Sequence, residues 1–172
     1  MRAAERRAAI LKRLSQADSP ISATALAHEC DVSRQIIVGD VALLRASGEQ
    51  IAATPRGYVY THPDNGLIRQ VAVLHTADQT EEELTICVDH GCAVLDVVVE
   101  HPVYGQLTGQ LQVTSRYDVR LFMERMARES GHSLSELTDG IHLHTLRCQN
   151  EAAYLRTCQA LDQAGILLKD PL

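Results

Sequence analysis

Tryptophan is missing from this 172-residue chain, and phenylalanine occurs once. Only five tyrosines remain as aromatics, too few to furnish the stacking platforms of a single-strand nucleic-acid binder. The core must therefore be aliphatic. No apolar run approaches the ~20 residues of a membrane span, and the basic opening (residues 1–7) leads only into the short apolar stretch 8–11, too little for a signal peptide. There is also no Cys-x-x-Cys pair. The five cysteines (Cys30, Cys87, Cys92, Cys148, Cys158) are odd in number and fit reduced thiols in a cytoplasm better than a disulfide framework. With 45% hydrophobic and 22% charged residues, and neither repeats nor low-complexity tracts, the composition is that of an ordinary globular protein.

The net charge of −6 is unevenly spread. Residues 1–61 carry 8 Lys/Arg against 6 Asp/Glu, whereas residues 62–172 carry 8 against 16. A slightly basic head on an acidic body implies two modules, of which only the head suits a polyanion.

In the head, the apolar spacing predicts a helix over 3–17, with Ile10, Leu11 and Leu14 as its stripe and Arg2, Arg6, Arg7, Lys12 and Arg13 on the other faces. Ser22 caps a short helix over 23–30. Ser33 caps a third running to about Ala46, whose core face is Ile37, Val41 and Leu44. Two β-prone pieces, 50–54 and 58–61, flank Pro55-Arg56-Gly57 as a hairpin tip. Three helices and a hairpin in this order make a winged helix-turn-helix.

The runs Ile21-Ser22-Ala23-Thr24-Ala25-Leu26-Ala27, Val32-Ser33-Arg34-Gln35-Ile36-Ile37 and Asp40-Val41-Ala42-Leu43-Leu44-Arg45 resemble the N-terminal domain of bacterial winged-helix repressors, including the biotin ligase repressor type. One departure matters. Positions after Ile37 that are often basic in such domains are Val38 and Gly39 here, and glycine inside a helix costs about 1 kcal/mol relative to alanine. Base reading is thus expected from the first turn, Ser33, Arg34, Gln35 and Ile36, since arginine suits guanine and glutamine suits adenine. Arg56 at the wing tip is placed to touch phosphate or the minor groove. The fold alone does not fix its use, and a protein-binding or scaffolding winged helix is the alternative.

Residues 62–66 (His-Pro-Asp-Asn-Gly) read as a linker, which divides the chain into a winged helix over 1–61 and a second domain over 67–172. Strands are expected at 67–75, 93–100, 106–113, 140–147 and 166–169, with helices over 80–90, 116–129 and 150–164. The 80–90 helix carries Thr80 as a candidate cap with Glu83 in the capping-box position. Strands interleaved with helices around one hairpin make the fold class α+β.

Within the second domain, Ile141-His142-Leu143-His144-Thr145 alternates with period two, so both imidazoles project from one face of a strand. Two imidazoles are half of a metal site. His75 and Glu83 offer further donors, but spacing alone places neither beside the pair, and two solvated histidines remain the alternative.

A resemblance covers what spacing leaves open. His75-x7-Glu83, His101-Pro102-Val103-Tyr104-Gly105, Ser115-Arg116-x-Asp118-Val119 and Leu137-Thr138-x-Gly140-x-His142-x-His144 together resemble the three-histidine domain of the niacin-responsive transcriptional repressors, in which that domain follows a winged helix. The resemblance implies a repressor of NAD-synthesis or niacin-uptake genes, and a homodimer is expected because one winged helix covers too little DNA for selective operator binding. It implies double-stranded operator DNA as partner and nicotinic acid as co-repressor. It also implies His75, Glu83, His142 and His144 as ligands of a divalent metal, nickel or zinc by donor type. For the nicotinate carboxylate, Arg116 at a helix start is the candidate partner. His101, with Tyr104 beside it, is open between contacting the effector, supporting the site and shaping a turn. Two rivals stand beside this reading. One is a repressor for which the metal itself is the signal. The other is a small metal-dependent hydrolase, against which the ~110 residues of the second domain fall far short of an eight-fold barrel of ~250.

Overall fold

In the computed structural model, which describes residues 2–61, 66–129 and 132–169, the chain divides into two compact units, residues 1–64 and 65–172. Residues 62–65 of the expected linker lie outside the described residues.

The first unit packs α1 (Ala3–Ser15), α2 (Ala23–Cys30) and α3 (Arg34–Ala46) with a hairpin of β1 (Ile51–Thr54) and β2 (Gly57–Tyr60). Ser22 and Ser33 cap α2 and α3 by accepting from the Ala25 and Ile36 amides. Ile10, Leu14, Leu26, Ile37, Val41, Leu44 and Ile51 form its aliphatic core. The basic residues of α1 are not all solvated, as amphipathicity suggests. Arg6 donates through Nε to the buried Asp40 carboxylate at 2.5 Å, fastening α1 to α3. Asp40 needs that partner because a buried unpaired carboxylate is costly.

The second unit is an antiparallel four-stranded sheet in the order β3-β6-β4-β5, formed by β3 (Leu67–Leu74), β4 (Cys92–His101), β5 (Gly105–Val113) and β6 (Ile141–Cys148). Helix α4 (Thr80–Asp89) links β3 to β4, so β6 enters last between two strands already laid down. Helices α5 (Arg116–Arg128) and α6 (Glu151–Gln163) precede and follow β6. Ser115 and Asn150 cap them, accepting from the Asp118 and Ala153 amides. Val71, Val73, Leu84, Val94, Leu111, Val113, Val119, Leu146, Leu161 and Ile166 make the core. No helix among the described residues is long and apolar enough to cross a membrane.

Three expectations are corrected. Residues 166–169 make no strand: Leu167 forms one isolated bridge to Val73, with Leu74 N–H donating to Ile166 and Leu168 N–H to Ala72. One bridge does not make a ladder. Thr80 is the first residue of α4 rather than its cap, which falls at Gln79 after a short 3-10 turn (Ala77–Gln79). Nor are all five cysteines thiols, for Cys92 and Cys148 form a disulfide. They lie 56 residues apart in sequence but directly opposite in the β4–β6 register, a pairing invisible until the topology is known.

Candidate metal centre

Alternation along β6 sends His142 and His144 to the buried face of the sheet with Leu146 and Cys148. The register sets them across from Val73 and Val71 of β3, and His144 also faces Val97 of β4. His75 follows β3 immediately. Glu83 lies one turn before Cys87 on the same inward side of α4 as Leu84. Pulled inward, it cannot serve the capping box that the sequence suggests.

All four side chains are at most 4% exposed. His75 Nε2 lies 2.7 Å from Glu83 Oε2, while His144 Nε2 and His142 Nε2 lie 3.1 and 3.3 Å from Oε1. The rings of His75 and His142 stand edge to face at 4.9 Å, as do those of His142 and His144 at 4.8 Å. One donor atom each from His75, Glu83 and His142 falls within 4.8 Å of the other two, and His144 joins through Glu83.

The outer ring nitrogens explain the aim of the inner ones. Nδ1 of His75, His142 and His144 bonds to the carbonyls of Thr76 (2.7 Å), Gly140 (2.9 Å) and Asp96 (2.6 Å). A carbonyl only accepts, so each Nδ1 carries a proton and each ring turns its Nε2 inward, where that atom is a bare lone pair whenever the ring is neutral. The backbone is shaped for this. Gly140 has φ +93°, and a Cβ there would run into the His75 carbonyl. Asp96 sits at the β4 irregularity between Val94 and Asp96.

Lone pairs facing a carboxylate need a cation between them, whether protons or a metal. Glu83 Oε1 and His144 Nε2 in fact lack any hydrogen-bond partner although both are buried. Burial opposes ionisation of Glu83, but the charge of His144 and the close approach of His142, His144 and His75 outweigh it and hold the carboxyl well below its usual range. Burial likewise disfavours charge on His75 and His144, yet Glu83 overrides it and raises both. Three imidazoles and a carboxylate, pre-oriented by second hydrogen bonds, fit a borderline divalent ion.

The other expected site residues lie elsewhere. Arg116 grips Asp89 through two bonds (Nε–Oδ1 2.7 Å, Nη2–Oδ2 2.5 Å) on the surface. His101 Nδ1 accepts from the Val103 and Tyr104 amides, and its ring lies 5.1 Å from the exposed Tyr104 ring at the β4–β5 turn. None of the three shares a hydrogen bond or ion pair with the four clustered residues. In the first unit, Ser33, Arg34, Gln35 and Ile36 are exposed at the start of α3, and Arg56 occupies the β1–β2 turn. Sequence reasoning missed the carbonyls of Thr76, Gly140 and Asp96. Only Gly140, within Gly-x-His-x-His, left a trace in the sequence.

Comparison with known proteins matches residues 68–170 to the 3H domain and residues 6–59 to an HTH domain. The transcription repressor NadR of Bacillus subtilis (strain 168) is 44% identical over 171 residues, covering 97% of this chain and 95% of the relative. The probable transcription repressor NiaR of Thermotoga maritima is 40% identical over 166 residues, covering 96% and 95%.

Proposed function

Because the chain belongs to the family of helix-turn-helix transcription repressors that carry a 3H domain, and is not an enzyme, we propose that it represses genes of NAD synthesis or niacin uptake with nicotinic acid as co-repressor. In this reading His75, Glu83, His142 and His144 hold a divalent metal, nickel or zinc. Ser33, Arg34, Gln35 and Ile36 read operator bases while Arg56 touches the DNA from the wing. The observation that carries the regulatory half is the convergence of three Nε2 atoms on one buried carboxylate, each ring fixed by a backbone carbonyl.

One winged helix covers too little DNA for selective binding, so the protein works as a homodimer on an inverted repeat, in the cytoplasm, with the acidic second unit as its interface. Sedimentation of a monomer at micromolar concentration, free and on DNA, would remove that claim. The domains are a winged helix over 1–61 and a regulatory domain over 67–172. The bound metal would supply a fixed positive charge, and the chain's part is to hold it dry and oriented.

A mobility shift on the protein's own promoter region, with and without nicotinate and with a chelator, tests the whole reading. A shift that strengthens with nicotinate and weakens with chelator is expected. A second reading has its own support: Arg116 is committed to Asp89, and neither His101 nor Tyr104 bonds to the cluster. The ion itself would then be the signal, and DNA affinity would follow the metal and ignore nicotinate.

A further inference from the structure

Among the described residues, nothing requires Gly39 to be glycine. It lies inside α3, where glycine is among the poorest helix formers. Its φ is not in the left-handed region, and a Cβ added there would meet nothing within 4 Å. Gly57 and Gly140 differ on both counts: they have φ of +137° and +93°, and a Cβ at either would strike the Ile21 or the His75 carbonyl. An alanine at position 39 is thus accommodated by the fold and favoured by helix propensity. A role for Gly39 is therefore sought on the outer face of α3.

Its surroundings say what that is. At 100° per residue, Gly39 falls opposite the Ile37–Val41–Leu44 core face, with the exposed Gln35 and Ala42 together on one side of it. On one flank stand two large apolar side chains left in solvent, Ile36 (42% exposed) and Leu43 (56%). The outer face of the helix is therefore low along its centre and apolar along one edge. Arg34 and Arg45 are its basic residues, and neither occupies that centre. In the major groove, the feature that rewards an apolar side chain is the 5-methyl group of thymine.

We propose that Gly39 lets α3 lie close against the floor of the major groove, so that Ile36 and Leu43 pack on thymine methyl groups of the operator. This rests on the DNA-reading role assigned to α3 above. A methyl group at position 39 would hold the helix away from the bases without hindering phosphate contacts made from its edges. The strip then contributes to sequence selection, which the first turn alone does not complete.

The test uses the full chain and a duplex that it enriches from a random-sequence library, with an unrelated duplex as reference. Gly39→Ala should raise the melting temperature of the first unit by about 4 °C. It should bind the enriched duplex about tenfold more weakly while binding the unrelated one within about twofold of wild type. Replacing thymidine by deoxyuridine in the enriched duplex should weaken the wild-type protein several-fold, because only the 5-methyl group is lost. Arg34→Ala serves as the control for the groove assignment. If Arg34→Ala is impaired and Gly39→Ala is not, the inference is overturned and the assignment of α3 survives. If both bind as wild type, the groove assignment itself fails. A lower melting temperature for Gly39→Ala would make the glycine a requirement of the fold, and indifference to deoxyuridine would remove the methyl contact.

Discussion

Glu83 and His75 meet at 2.7 Å with both side chains 1% exposed, and this contact joins the start of α4 to the end of β3 inside the core. A carboxylate so placed must be matched by positive charge. Either the imidazoles take protons or a cation takes their lone pairs. These two fillings compete, and their competition sets how the second unit answers to pH and metal.

Glu83 raises the pKa of His75 and His144 above the ordinary histidine value of 6.5, against the opposing effect of burial. A proton held more tightly when folded stabilises the fold below the ordinary value, and that stabilisation is lost as pH rises through the raised one. The metal-free protein should therefore melt at progressively lower temperature as pH rises across this window. Nickel or zinc should restore the loss, and the increment should grow with pH because neutral imidazole is the ligand. Glu83, held well below its usual range, contributes the reverse dependence in acid. Scanning calorimetry of chelated and metal-loaded protein over a pH series measures all three. A metal increment that does not vary with pH would exclude the histidines as ligands.

In the first unit, Arg34→Ala should weaken operator binding by ~1–3 kcal/mol and relax specificity at one base pair. Arg56→Ala should weaken specific and non-specific binding about equally, since a wing contact to phosphate carries no sequence information. Competition binding at two salt concentrations separates the effects. Two variants indistinguishable from wild type on the operator would show that the protein reads DNA by some other surface.

The cysteines make a sharper demand. Cys92 and Cys148 are closed across β4 and β6, while Cys30, Cys87 and Cys158 are free. Denatured without reductant, the chain should titrate as three thiols, and after reduction as five. Closing a loop of this length should be worth roughly 4 kcal/mol by chain entropy, so reductant should lower the melting temperature of the second unit. Five thiols without reductant would return the pair to the reduced state that the sequence suggests. Cys87 should resist alkylation in the folded protein, since burial pushes its thiol well above the usual range.

The helices of the first unit were legible because each carries its own cap and stripe: Ser22 and Ser33 accept where the sequence places them, and Ile37, Val41 and Leu44 are buried. The two β6 histidines were legible by alternation alone. Their meeting with His75 and Glu83 was not, because β6 inserts between β3 and β4, and no local period encodes strand order. Resemblance supplied the four donors, and topology supplies their convergence. Glu83 illustrates the conflict: local chemistry favours it in a capping box, whereas the core claims it for three imidazoles. The Cys92–Cys148 pair failed for the same reason as the four donors, being a fact of register. Residues 166–169 failed differently, since β propensity makes no strand where only one bridge forms.

The last prediction couples the two units. His144 contributes an Nε2 that lies 3.1 Å from Glu83 and lacks a hydrogen-bond partner. Its Nδ1 is held by Asp96 on a neighbouring strand. Removing the ring should cost metal affinity steeply while leaving the winged helix folded, because the first unit has its own core. Nicotinate can shift the protein toward its DNA-competent arrangement only if it binds that arrangement better than the other; affinity alone shifts nothing. If the ion provides that difference, through the nicotinate carboxylate or ring nitrogen, His144→Ala should retain weak, salt-sensitive DNA binding and lose its response to nicotinate. Metal content by plasma emission and a mobility shift with and without nicotinate read the two halves separately. A variant that loses its metal yet responds normally would make the ion a structural staple. The effector would then be held elsewhere, with Arg116 the first residue to test once Asp89→Asn has released it from its present partner.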